Sequence, residues 1–142
     1  MITLDDVRNA VAAYTPTLLP DRRKYRAAVA AILCDPSTGP QMLFIERSKH
    51  EKDPWSGHLA FPGGRMEEED TTLRETAERE TLEEVGLDLQ SGEYLGRLDD
   101  VTGSVSPVVV SGFVYAVPVQ EAFELSSEVQ DAFWFTVADL VD

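Results

Sequence analysis

Three glutamates define the stretch of this chain best suited to chemistry: Arg79-Glu80-Thr81-Leu82-Glu83-Glu84-Val85-Gly86-Leu87, preceded by Gly63-Gly64. At about 100° of rotation per helical residue, Glu80 and Glu84 fall about 40° apart, and Glu83 falls on the other flank of Glu80. Three carboxylates therefore share one helix face. Like charges at i,i+4 destabilise a helix by roughly 0.2–0.5 kcal/mol per pair, and neither Leu87 nor Asp88 offers Glu84 a cation. Divalent cations would relieve the repulsion. Mg²⁺ or Mn²⁺ suits such oxygen donors, because it keeps waters and takes its remaining ligands from phosphates.

An acidic run also fits a solvated helix face, since charge runs are common on protein surfaces. The upstream glycines separate the two readings. Without Cβ atoms the backbone turns sharply and brings carbonyl or N–H groups close to a ligand on the acidic side. Taken alone, Pro62-Gly63-Gly64 fits an ordinary turn equally well.

Together these residues resemble the Nudix box, G-x5-E-x7-R-E-U-x-E-E-x-G-U, in which U is bulky and apolar. Arg79, Glu80, Glu83, Glu84, Gly86 and Leu87 match its second half, and Thr81 stands at the apolar position. Counting from Gly64, Asp70 takes the first acidic position, and eight residues rather than seven precede Arg79. That longer spacing, together with Leu59-Ala60-Phe61-Pro62-Gly63-Gly64, resembles the coenzyme A diphosphatase branch. In that branch an arginine and a glycine stand at set distances before Phe-Pro-Gly-Gly. Here Gly57 takes the glycine position and Asp53 the arginine position, with Lys52 beside it. The similarity runs from about 27 to 135.

The resemblance implies an α/β chain of the α+β type, with a mixed β-sheet sandwiched between helices. It also implies hydrolysis, dependent on Mg²⁺ or Mn²⁺, of a diphosphate bond in a small nucleoside diphosphate derivative. Coenzyme A, ADP-ribose, nucleotide sugars and nucleoside triphosphates are the substrates it admits, and a catalytically silent nucleotide sensor is the alternative. Carried over by position, Glu80, Glu83 and Glu84 become metal ligands, joined by the carbonyl of Gly64 or Gly63. Arg79 orients Glu80 or pairs with Asp70, in addition to an i,i+4 pair with Glu75. Glu128, just before the last strand, supplies the general base or a further ligand. Arg47, Gly63 and Arg26 are the candidate substrate contacts. Arg26 belongs to the one basic cluster, Arg22-Arg23-Lys24 with Arg26, and Trp55 and His58 lie in the loop before the glycines.

These residues need elements to position them. Thr3 caps a predicted helix over 4–14, with Leu4, Val7, Val11 and Tyr14 as its apolar stripe. The apolar runs 25–34 and 41–47 read as strands around a turn, and 48–70 as mostly loop. Nothing breaks a helix over 71–85, with Thr72 and Glu75 at capping-box spacing and Gly86 at the C′ position. Ala77, Thr81 and Val85, flanked by Leu73 and Leu82, are its expected core side. Strands are expected over 94–98, 108–117 and 132–135, and Thr136 caps a last helix that has barely begun at Asp142. The expectation is one domain, 1–142, with 1–24 as helix and lead-in. An apolar face left open beside the short last helix would be covered by a second copy in a homodimer, or would shape an open pocket.

Charge narrows the partners. The chain has 142 residues, 12 basic against 26 acidic, for a formal net charge of −14, so it repels nucleic-acid polymers. Cys34 is the one cysteine, which excludes an internal disulfide or a multi-cysteine metal site and fits a reducing cytoplasm. The first residues lack a basic n-region and an apolar h-region, and no window reaches the span of a bilayer. A cytoplasmic protein without a membrane partner is expected.

Overall fold

The sheet is organised around β1 (Tyr25–Cys34), an apolar run packed on both faces. It runs parallel to β7 (Val108–Ala116) from Tyr25 opposite Val108 to Leu33 opposite Ala116. β2 (Gln41–Arg47) pairs with β1 only at Leu33–Met42 and Cys34–Gln41, beside the turn, and then splays away. Two short strands fill the wedge. β3 (Leu59–Ala60) pairs with β2, and β4 (Gly63–Arg65) pairs with β1. The segment 48–70 is thus less purely loop than expected, because the splayed strands leave backbone donors and acceptors that residues 59–65 complete. β5 (Glu93–Arg97) and β6 (Val101–Thr102) pair with β7, and β8 (Val129–Thr136) pairs with β2, giving one eight-stranded mixed sheet. This computed structural model describes residues 1–20, 25–49, 57–102, 107–120 and 122–140. Arg22, Arg23, Lys24, Lys52, Asp53 and Trp55 lie outside the described residues.

Helix α2 (Leu73–Val85) covers one face. The Thr72 side chain accepts from Glu75 N, and Gly86 closes the helix at φ 75° with its N–H on Leu82 O. The helix starts two residues later than expected, since the Thr71 hydroxyl and N–H both bind the Glu75 carboxylate from outside it. Ala77, Thr81 and Val85 are buried as expected, but Leu82 is 51% exposed and is not part of the core. The helix is rotated so that Glu84, at 4% exposure, faces inward. Thr81 stands at an apolar position without penalty because its hydroxyl donates to Ala77 O at 2.7 Å.

On the other face lies α1 (Leu4–Ala13), started by a capping box between Thr3 and Asp6. Leu4, Val7 and Val11 pack with Ile2, Met42 and Phe61 over Ala31, Leu33 and Val114. Arg8 bonds both Glu93 oxygens, at 2.9 and 2.8 Å. A short helix α3 (Val137–Leu140) follows β8, and Val137 is buried on this same face. No helix among the described residues is long and apolar enough to cross a membrane.

Candidate active site

Gly63 and Gly64 sit in the wedge between the splayed strands, under the C-terminal half of α2. The Gly63 N–H donates to Glu84 Oε1 at 2.8 Å. A Cβ on Gly63 would lie 2.3 Å from Ala28 O, and a Cβ on Gly64 would lie 2.3 Å from Glu80 Oε2. Both positions thus require glycine, the first for backbone packing and the second to seat a carboxylate. Burial pushes the Glu84 carboxyl up to about 7; the Gly63 N–H and Arg47 oppose this, while Glu80 and Glu128 add to it. Glu80 is also raised, mainly by burial, with Arg79 opposing and Glu83 and Glu128 adding. The sharp turn expected at these glycines is instead the extended strand β4, on which the buried Glu84 and the partly buried Glu80 converge while Glu128 acts on both.

Arg79 organises the approach. Its guanidinium grips Asp70 with two bonds of 2.9 Å, bonds Glu80 Oε1 at 2.7 Å, and reaches Arg65 O at 3.2 Å. Asp70 is 6% exposed and also accepts from the Thr76 hydroxyl and Glu67 N. The Arg79 guanidinium therefore holds the Asp70 carboxyl far below its ordinary range, against the effect of burial. Arg79 thus bonds Asp70 and Glu80 at once. The planar fork matches a carboxylate at Asp70, whereas Glu75 is bonded by Thr71.

Glu128 reaches the site on a loop held at both ends. Ser126 N donates to Glu84 O at 3.0 Å and Glu124 N to Val85 O at 3.1 Å, tying the loop to the end of α2. At the other end, Ser48 N donates to Glu128 O at 2.9 Å and the Ser48 hydroxyl to Ser127 O at 2.8 Å. Arg47, opposite Val129 in the β2–β8 ladder, lies close enough to stabilise the charge of Glu84. His58 contributes its carbonyl to Arg47 N at 3.1 Å.

Two of the expected residues stand apart. Glu83 is exposed, and both of its oxygens lie 3.3 Å from Arg79 Nη1. Arg26 turns to Asp100 at 3.3 Å and lines a small cavity near the start of α2 with Arg97 and Thr72. Asp100 is a buried acid that no local pattern singles out. It accepts from Ser111, Leu19 N, Arg97 and Arg26, a set drawn from β1, β5, β7 and the lead-in. Ser48 was equally silent, since its role depends on Ser127, 79 positions away.

Among the described residues no three acidic or His/Cys side chains form a ready cation cage. Mg²⁺ does not require one, because it is usually held by one or two carboxylates plus waters and substrate phosphates. Glu80 and Glu84 supply hard oxygens whose burial and mutual repulsion favour a neutralising cation. The donor set therefore fits such an ion, with Glu83 available once it leaves Arg79.

Residues 24–142 match the NUDIX domain. The chain belongs to the NUDIX domain family. An uncharacterized protein of Schizosaccharomyces pombe is 36% identical over 155 residues, spanning 92% of this chain and 47% of that protein. NudL, an uncharacterized Nudix hydrolase of Photorhabdus laumondii, is 30% identical over 148 residues, 89% of this chain and 78% of that one. The chain thus spans about half to three quarters of the length of these relatives. In structure it is similar to a Caenorhabditis elegans Ap4A hydrolase, with a TM-score of 0.67 and 19% identity over 82% of this chain and 83% of that one. It is also similar to the NUDIX domain of Shewanella oneidensis NrtR complexed with ADP ribose, at TM-score 0.60 and 20% identity over 91% and 79%. At those identities the likeness concerns the fold, a mixed sheet with helices on its faces.

Proposed function

We propose that the chain hydrolyses a diphosphate bond in a nucleoside diphosphate derivative, with a divalent cation bound by Glu80, Glu83 and Glu84 and by the Gly64 carbonyl. The observation that carries this reading is the convergence of Glu80 and Glu84 on the Gly63-Gly64 pair of β4, where two buried or partly buried acids repel each other. When bound, Mg²⁺ or Mn²⁺ would neutralise phosphate charge and make water a better nucleophile.

The remaining work falls to the chain. Arg79, anchored on Asp70, orients Glu80. Glu128 takes a proton from the attacking water. That water's oxygen bonds to one phosphorus, the bridging P–O bond breaks, and the bridging oxygen leaves on the other phosphate. Arg47 and the backbone at Gly63 contact the phosphates as the charge shifts. Arg26, bonded to Asp100, has a stronger claim to holding the lead-in than to meeting substrate.

The test is a screen, with Mg²⁺ and with Mn²⁺, of coenzyme A, ADP-ribose, Ap4A, a nucleotide sugar and a nucleoside triphosphate, reading phosphate-containing products. Cleavage of at least one, lost on chelation, is the expected result. Coenzyme A is included for the long Gly64–Arg79 spacing after Phe61-Pro62-Gly63-Gly64. ADP-ribose and Ap4A are included because one structural neighbour is complexed with ADP ribose and another is an Ap4A hydrolase. Binding of these compounds without turnover by either metal would favour a silent sensor.

A further inference from the structure

Beside β1 and the glycines of β4, on the face opposite α2, lies a cavity of about 710 Å³. That is within the range of about 300–1,000 Å³ typical of small-molecule sites. Val29, Val110 and Gly112 make its floor, and Phe61 and Leu98 stand at its sides. Ala10 and Val11 of α1, with Tyr14, close the remaining side. α1 lies outside residues 24–142, which match the NUDIX domain.

The cavity adjoins the candidate active site. Phe61 precedes Gly63 by two residues, and a Cβ on Gly63 would lie 2.7 Å from Val29 Cγ1. Gly63 therefore borders both the Glu84 carboxylate, through its N–H, and the Val29 side of the cavity.

The described walls are almost wholly apolar. Asp99, the one acid among them, accepts the Tyr14 hydroxyl at 2.6 Å on one oxygen and Thr17 N at 2.7 Å on the other. Val29 pairs with Gly112 and Val110 with Val101 inside the sheet, and Gly112 O accepts from Leu98 N at 2.9 Å. A nucleobase in this space would lose water from several donors and acceptors without replacement, which opposes binding. An anion would meet a carboxylate. Aliphatic carbon meets neither obstacle and gains from leaving water.

We propose that this cavity takes an uncharged aliphatic chain, alkyl or acyl, carried on one phosphate of the diphosphate substrate, with α1 as the wall that selects it. The inference rests on the diphosphatase reading and names the kind of group that reading leaves open.

The test compares two esters of ADP, with n-octanol or with methanol on the terminal phosphate, as substrates in Mg²⁺. It also follows an uncharged fluorescent probe, N-phenyl-1-naphthylamine, in metal-free buffer. The octyl ester should exceed the methyl ester in kcat/KM by at least about tenfold, given the favourable burial of each added methylene. The probe should bind saturably and be displaced by the octyl ester. Ala10→Trp, at an exposed helix position, should remove probe binding and the octyl preference while leaving methyl ester hydrolysis unchanged. Val110→Phe, which fills the cavity from the floor, serves if the first variant does not fold.

Equal kcat/KM for the two esters, with no displacement of the probe by the octyl ester, overturns the proposal. So does displacement of the probe by adenosine alone. If no diphosphate compound is cleaved with either metal, the diphosphatase reading falls. In that event, displacement of the probe by the octyl but not the methyl ester still supports the cavity assignment, and its absence overturns it.

Discussion

The two faces of the sheet solve opposite problems. Beneath α2, charged and polar groups are buried and nearly every one is answered: Asp70 by Arg79 and Thr76, Thr81 by Ala77, Glu84 by Gly63 N–H. Beneath α1, the surface is apolar and its few polar groups are used up on one another. One face holds crowded negative charge; the other holds unfilled apolar space. The sheet joins them at the wedge where β1 and β2 part, so a molecule bound there can draw charge neutralisation from one side and hydrophobic burial from the other.

Five perturbations would break or sharpen that contrast. The largest effect is expected from Glu84→Gln. The amide oxygen can still accept from Gly63 N–H, so the fold should persist while turnover falls at least about a hundredfold with the lost anionic donor. Near-wild-type turnover in steady-state assays would reject the ligand assignment.

The two glycines should then behave differently. A Cβ at Gly64 meets the end of a flexible Glu80 side chain, whereas one at Gly63 meets the backbone of β1. Gly64→Ala should lower turnover by roughly ten- to a hundredfold through misplacement of Glu80, with little change in Tm. Gly63→Ala should cost about 3 kcal/mol or more of stability by overpacking. Thermal melts of both variants beside their rates would show whether the split is real.

Asp70→Asn comes next, with an expected loss of about 3 kcal/mol, because it leaves the largely buried Arg79 short of its main partner. The sign of the pH dependence follows from the depressed carboxyl. Its contribution is complete above the ordinary aspartate pKa and is lost as pH falls from there toward the folded-state value. Denaturant melts from pH 6 down to pH 2 should therefore show wild type and Asp70→Asn converging in acid; parallel curves would contradict the role given to this pair.

The smallest effect concerns Cys34, wholly buried beneath α2 with its thiol pushed up to about 11 by burial and by Asp35. A thiol reagent at pH 8 should label the folded protein at least about tenfold more slowly than the unfolded chain, since the thiolate is the reactive form. Equal rates would mean that the α2 face opens readily.

Local order explains how much of this was legible. Thr72, Glu75 and Gly86 mark the limits of α2 because caps act through neighbouring residues. The i,i+4 relation of Glu80 and Glu84 follows from helix geometry alone. The apolar runs 25–34 and 41–47 coincide with β1 and β2. Leu82 misled because periodicity identifies a stripe without fixing the helix's rotation, and here the bond between Glu84 and Gly63 accompanies a rotation that leaves Leu82 outside.

The sequence by itself determined the acidic helix, the glycine pair before it and the strands that carry them, since each is written in residues close together along the chain. Only the tertiary structure decided that Glu83 leans on Arg79, that Ser48 tethers the Glu128 loop, and that α1 walls a cavity beside Phe61. Those outcomes join residues remote in sequence, and which of several possible partners a side chain meets depends on packing that no local pattern encodes.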